Sequence, residues 1–355
     1  MADHPTAASP QFLAFVGAIL FVSLVAWMGA LLKLLAGQPL IPYTPRRPTP
    51  WGLGDGAIVL GGWLVLTVLC SRAALSLLGD PAVERIEGAE LSALDIRNLM
   101  LGTLVANLVA WLLGSAWLYS RGAGKELRWR LRDLIADLKL GAQAFALAAA
   151  PVYGLQMILT QFFPSNHPAV VLLAKQTDPW TVAVVVISAA VVAPLAEEFL
   201  FRLVLQGALE GAEWRALGRR RESTESPSEF APTPPAEVGP YVETVNPYAA
   251  SAAIGKLEGR LPDDNSSPRD EAAMLLKETQ KSSLGGLPAG VWPIVASSSF
   301  FALLHLGHGP DPIPLVVFAA MLGYVYRQTH RLAPSIVTHL LLNSCSLVIF
   351  WLSPS

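Results

Sequence analysis

The chain has 355 residues, 53% hydrophobic and 15% charged, with a mean hydropathy of +0.46 and a formal net charge of −2. Soluble domains carry about 25% charged residues, so the composition excludes an ordinary soluble protein, and the near-neutral charge gives no reason to expect a nucleic-acid partner. The two cysteines, Cys70 and Cys345, both fall in predicted spans, which argues against a disulfide framework and against a cysteine-based metal site.

Several apolar runs approach the ~20 residues needed to cross a bilayer. They are continuous rather than alternating, which favours helices over a β-barrel. The expected fold class is therefore all-α: a polytopic membrane protein of about eight transmembrane helices with a disordered cytoplasmic insertion. The spans are predicted at 11–32, 55–78, 98–120, 141–163, 180–209, 289–306, 313–327 and 334–352. No Lys or Arg precedes the first run and no small-residue cleavage site clearly follows it, so it reads as a retained span rather than a signal peptide. The segment KELRWRLRDLIADLKL (125–140) reads as a basic amphipathic helix on the inner membrane surface. The fifth run is too long for one straight span and contains Pro194, which predicts a kink or break. The seventh is short.

Residues 213–288 are a different material: they hold 21 of the 52 charged residues in about a fifth of the length. They read as a disordered cytoplasmic insertion, in which PRDEAAMLLKETQ (268–280) forms at most one short helix. Basic residues set orientation. Lys33, Arg46 and Arg47 precede span two; Arg121, Lys125, Arg128, Arg130, Arg132 and Lys139 lie between spans three and four. Arg215, Arg219, Arg220 and Arg221 follow span five, and Arg327 and Arg331 precede span eight. All fall on one side of an eight-span chain whose two termini lie outside.

Polar residues inside apolar runs carry the chemical signal, because ionisable groups at membrane depth persist mainly where they pair or react. In EEFLFR, Glu198 and Arg202 are spaced i, i+4 and share a helical face. Glu197 is turned ~100° away and is left to face a cavity. In FALLH, a lone His305 on an apolar helix is, taken alone, more often a satisfied core histidine than a catalyst; His308 reads as a loop residue. In HLLLN, His339 and Asn343 share one face. A carboxylate with an imidazole is a general-base arrangement for water, and a second imidazole with an amide can stabilise a developing oxyanion. No nucleophilic serine or cysteine motif stands out. Straight helices of ~1.5 Å rise per residue place His305 near the outer end of its span and Glu197 and His339 nearer the inner face, a mismatch in depth.

E-E-x-x-x-R, F-x-x-x-H and H-x-x-x-N, in that order on apolar helices, resemble the CPBP family. These are intramembrane glutamic proteases that include the Ras-converting CAAX prenyl endopeptidases and bacterial bacteriocin-processing and self-immunity proteins. The resemblance covers about 180–352. It divides the chain into N-terminal transmembrane helices (1–163) and a catalytic membrane domain (164–352) interrupted by 213–288. It implies that Glu197 and His305 activate water, that His339 and Asn343 form an oxyanion hole, and that Glu198 and Arg202 support the site. The implied protein lies in the cell (inner) membrane, its site facing the cytoplasm. Its partners are the lipid bilayer and a membrane-anchored peptide or protein substrate, of which a prenylated CAAX protein is one type. No cofactor is implied. Two other readings stay open: a non-catalytic immunity or scaffold protein that binds a peptide, and a hydrolase in which Glu197, His305 and His339 ligate zinc, against which the missing H-E-x-x-H argues weakly.

Overall fold

The computed structural model describes residues 9–44, 49–79, 92–127, 131–163, 172–173, 178–224, 290–307 and 309–353. Among these residues the regular secondary structure is entirely helical. In chain order the helices are α1 (Pro10–Leu35), α2 (Leu53–Leu78), α3 (Ala93–Ser120) and α4 (Leu134–Thr160), the last entered by a 3₁₀ turn at Leu131–Asp133. The fifth helix, α5, is built of five consecutive segments: Pro179–Val185, Val186–Val192, Ala193–Glu198, Phe199–Gln206 and Gly207–Thr224. α6 (Val291–Leu303), α7 (Pro312–Thr329) and α8 (Leu332–Leu352) follow.

Local chemistry fixes several starts. Ser9 accepts from the Phe12 N–H at 3.2 Å ahead of Pro10. Ser92 and Asp95 cap α3 reciprocally. Asp178 accepts from the Thr181 N–H at 3.0 Å, and its hydrogen bonds with Thr181 hold its carboxyl below the usual range.

Among the described residues, six helices are long and apolar enough to cross a membrane: α1 to α5 and α8. Of the eight predicted runs, α6 has only 13 residues, about 20 Å of helix, and α7 has 18. Leucines, valines and aromatics along α1 to α3 stay exposed, with Phe21 at 66% and Leu35 at 75%. Water would not tolerate so broad an apolar surface. The chain is an integral membrane protein.

Small residues let helices approach closely, as expected where packing rather than water drives association. A Cβ at Gly102 of α3 would lie 2.6 Å from Ser71 Cα of α2, and one at Gly141 of α4 would lie 2.6 Å from Val337 Cβ of α8. α1 leans on α4 through Ser23 Oγ to Ala146 O (2.5 Å) and Trp27 Nε1 to Leu147 O (3.1 Å). The middle of α5 is central. Phe199, Leu200, Phe201, Leu203 and Val204 are buried against Trp51, Leu118, Phe301 and Tyr326.

Three expectations change. The 125–140 segment is not a separate surface helix among the described residues, because Leu134 onward already belongs to α4. Asp137 explains this: it is buried and pairs with Arg331 at 2.7 Å, tying the first turn of α4 to the start of α8. α5 is helical through Pro194 without a break, its hydrogen-bond register widening on either side of the segment that holds the proline. It also continues to Thr224, beyond the predicted edge of the insertion at 213. Glu213 is buried there and accepts from the Gly290 N–H at 2.9 Å. Residues 225–289, which hold most of the 213–288 insertion and its 268–280 segment, lie outside the described residues.

Candidate active site

The middle of α5 carries the candidate carboxylates. Val186–Val192 and Phe199–Gln206 are π-helical, a form found mostly as short stretches and frequently at functional sites. The wide turns are visible at their ends: the Ala193 N–H donates to Ser188 O, and the Gly207 N–H to Arg202 O. The six residues between them, Ala193–Glu198, hold Glu197 and Glu198.

Glu198 and Arg202 form the predicted pair, with Oε2 3.4 Å from Nε, and both side chains are wholly buried. The other oxygen of Glu198 lies 2.9 Å from His339 Nδ1. A carboxylate accepts, so Nδ1 is the protonated nitrogen. The opposite nitrogen, His339 Nε2, faces Glu197 Oε2 at 3.6 Å. The α8 imidazole is thus held between two adjacent carboxylates of α5. Phe318 of α7 stands edge-on to its ring at 5.1 Å, and Phe301 of α6 at 6.0 Å. Of the two carboxylates, Glu197 alone keeps solvent access, with 19% of its side chain exposed.

Asn343 lies one turn beyond His339 and meets the same helix. Its Nδ2 donates to Ala189 O at 2.8 Å. A carbonyl can only accept, which fixes the carboxamide orientation and leaves one N–H and the amide oxygen for other partners. His305 follows α6 in a turn. Its Nδ1 lies 2.9 Å from Phe301 O, so Nδ1 carries the proton and Nε2 of the neutral ring is the proton-accepting nitrogen. The Phe301 ring touches both His305 (4.8 Å) and His339 (6.0 Å).

The predicted mismatch in depth disappears. Glu213, inside the last segment of α5, is tied to Gly290 at the start of α6. Glu197 lies sixteen residues from that tie and His305 fifteen, so the two helices carry them to similar depths. The continuation of α5 past residue 213 is what the sequence reading lacked.

The structure adds partners that sequence motifs did not single out. Arg202 Nη1 donates to Ser297 Oγ of α6 (3.2 Å) and Gln206 Oε1 (3.5 Å). Gln206 Nε2 donates to Gly323 O of α7 (2.9 Å) and to Glu210 Oε1 (2.9 Å). Glu210 in turn pairs with His330 (3.5 Å), whose Nδ1 reaches Thr44 O (2.9 Å). The i, i+4 row Glu198–Arg202–Gln206–Glu210 was the available signal. Together these contacts make one polar ladder from His339 to the α7–α8 junction.

A cavity of about 690 Å³ lies beside this junction. Lys125 and Arg331 line it, and it reaches Leu195 and Phe199, which bracket the two carboxylates in sequence, and Ile336, one turn before His339. Among the described residues, no group of three or more His, Cys, Asp and Glu side chains is arranged to hold a metal ion.

Residues 273–345 match the family of Rce1-like, type II CAAX prenyl endopeptidases. The match supports assignment to the CPBP/CAAX protease family. It spans about a fifth of the chain and contains His305, His339 and Asn343; Glu197, Glu198 and Arg202 lie before it. No curated protein and no solved structure matches the chain. The family is one of proteases, which makes a hydrolase of the CAAX protease type the functional class to test against the geometry.

Proposed function

We propose that the protein is an intramembrane endopeptidase that hydrolyses a peptide bond of a membrane-anchored substrate, of which a prenylated CAAX protein is the type the family match suggests. The observation that carries this reading is His339 held between Glu197 and Glu198 across α5 and α8. A buried imidazole between two carboxylates is more than packing requires, and it stands one turn from an amide with an N–H to spare.

In this reading Glu197, the more accessible carboxylate, takes a proton from water. His305 shares that load through Nε2, the nitrogen left to accept by its Nδ1 contact with Phe301. The attacking oxygen bonds to the scissile carbonyl carbon, whose oxygen becomes anionic. The spare N–H of Asn343 stabilises that charge, and His339 adds to it in the form in which Nε2 also carries a proton. The tetrahedral intermediate collapses, the C–N bond breaks, and the proton held by Glu197 passes to the leaving amine. Glu198 and Arg202 fix the imidazole.

α6 and α7 are the two remaining passes of an eight-span chain, α6 short and held to α5 through Ser297 and Phe301. The basic loops support an inner side at Arg121, Lys125 and Arg331; in this reading the cavity beside Arg331 admits substrate from the cytoplasmic face.

The test uses purified protein in nanodiscs with membrane-anchored peptides, products being read by mass spectrometry. Wild type is expected to release a short C-terminal fragment. Glu197→Gln should lose on the order of 10³-fold or more in kcat with its melting temperature nearly unchanged. Full activity in a well-folded Glu197→Gln protein overturns the glutamate mechanism. Binding without turnover by wild type points to the scaffold reading. Activity removed by a chelator and restored by zinc points to the metal-dependent one.

A further inference from the structure

We infer that Pro194 is a positioning residue: it leaves the Ala189 carbonyl without a backbone donor, and that carbonyl holds the Asn343 side chain in its working orientation. The inference rests on the proposed hydrolysis only for what Asn343 does once held.

Every buried backbone carbonyl needs a donor. In an α-helix the Ala189 carbonyl would receive the N–H of Ala193. Here that N–H is committed to Ser188 O, the i→i−5 pattern of the π segment. In a continued π-helix the carbonyl would receive the N–H of residue 194 instead. Residue 194 is proline and has none. Both backbone routes are closed by the same short stretch, and the carbonyl faces α8. Asn343 Nδ2 supplies the donor at 2.8 Å.

The consequence runs toward the site. Anchoring one N–H of a planar carboxamide fixes the direction of the other. Asn343 shares its face of α8 with His339, whose ring is held by Glu197 and Glu198 on the same α5. Ala189 and the two carboxylates lie on opposite sides of Pro194 in sequence, so α5 grips α8 at two points, one on each side of the proline. The widened register is what points a backbone carbonyl at α8, and the missing N–H keeps it there.

The substitution that tests this favours folding. Pro194→Ala returns an N–H to the helix and a residue of high helical propensity, so thermal stability should be unchanged or higher. The restored N–H competes for the 189–190 carbonyls and releases Asn343. Selective ¹⁵N-asparagine labelling in detergent micelles, with Asn343 assigned through Asn343→Ala, reads the release directly. The side-chain N–H signals of Asn343 are expected to move, while those of Asn98 and Asn107 stay in place. Unmoved Asn343 signals in Pro194→Ala overturn the inference, whether or not the protein is a protease.

The kinetic arm uses the membrane-anchored peptide cleaved by wild type. Pro194→Ala should lower kcat by about 10- to 100-fold with little change in KM, the scale expected for a misplaced catalytic group. In an Asn343→Ala background the same substitution should have almost no further effect, because a residue acting through another shows non-additivity. An equal loss in both backgrounds overturns the inference, since Pro194 would then act by another route. If wild type cleaves nothing, the proposed function fails and the asparagine signals still decide the positioning.

Discussion

Glu198→Gln offers the most direct test of how the buried charges are arranged. Glu198 has no exposed surface, and its two oxygens divide their work: one accepts from His339 Nδ1 at 2.9 Å, and the other lies 3.4 Å from Arg202 Nε. A glutamine keeps the shape and one oxygen. It cannot serve both partners, because its –NH₂ must face either the imidazole N–H or the guanidinium. Donor then meets donor, and Arg202 keeps a full charge with no counter-ion in contact. Removing one partner of a buried pair typically costs about 3–5 kcal/mol. The glutamine still satisfies one of the two donors, which places the expected loss near the lower end, about 3 kcal/mol, or roughly a hundredfold in the folded-to-unfolded ratio.

The cost belongs to the stranded cation rather than to lost packing, and a second substitution separates the two. Arg202→Met in the Glu198→Gln background removes the uncompensated charge and leaves an apolar chain of similar length among Phe301 and its neighbours. The double variant should recover at least half of the loss. Unfolding in detergent at constant lipid ratio, followed by tryptophan fluorescence, measures all three proteins. A Glu198→Gln protein as stable as wild type would refute the reasoning, and so would a double variant no more stable than the single one.

Three further outcomes follow from other parts of the molecule. Gly141→Ala should destabilise the α4–α8 contact by about 1–3 kcal/mol, since the new methyl would meet Val337 Cβ at 2.6 Å and Pro334 O at 2.8 Å; a melting curve superimposable on wild type would mean the helices separate freely there. In a protein freed of Cys70 and Cys345, an impermeant thiol reagent added to intact cells should reach Ser355→Cys and miss Pro235→Cys; the opposite pattern reverses the proposed orientation. Replacing 225–266 by a Gly/Ser linker long enough to join α5 to α6 should leave the single-turnover rate on a membrane peptide within a few-fold of wild type. A fall as deep as in Glu197→Gln would make the insertion part of the catalytic machinery.

The parts of the site that follow helical periodicity were legible in the sequence. Spacing alone predicted the Glu198–Arg202 pair and the common face of His339 and Asn343, and both are found, whereas Glu197, expected to turn away into a cavity, meets the same imidazole as Glu198. What spacing could not supply was any contact between helices. Nothing in EEFLFR or HLLLN says that one imidazole meets both carboxylates, because that depends on how α5 and α8 cross. The polar ladder was half legible: Gln206 and Glu210 continue the i, i+4 row, but Ser297 and the Gly323 carbonyl belong to other helices. The surface helix at 125–140 was misread because its charge pattern is real but local. Asp137 is drawn inward by Arg331, some two hundred residues away in sequence, and periodicity has no access to that partner.

Pro194 shows the same limit from the other side. A proline in a long apolar run predicts a lost hydrogen bond, and the loss is there, but the helix does not break. In water the freed carbonyl would be solvated and a kink would cost little. In the middle of a bilayer the only available donors belong to the protein, so the helix stays continuous, shifts register and takes a side chain from its neighbour. A backbone defect at membrane depth therefore becomes a specific inter-helix contact, and the candidate site stands between the two stretches in which α5 departs from α-helical geometry. The two glutamates occupy the six regular residues between two π-helical stretches. That placement brings the backbone carbonyl at Ala189 and the carboxylates at Glu197 and Glu198 to the face of α8 that carries Asn343 and His339.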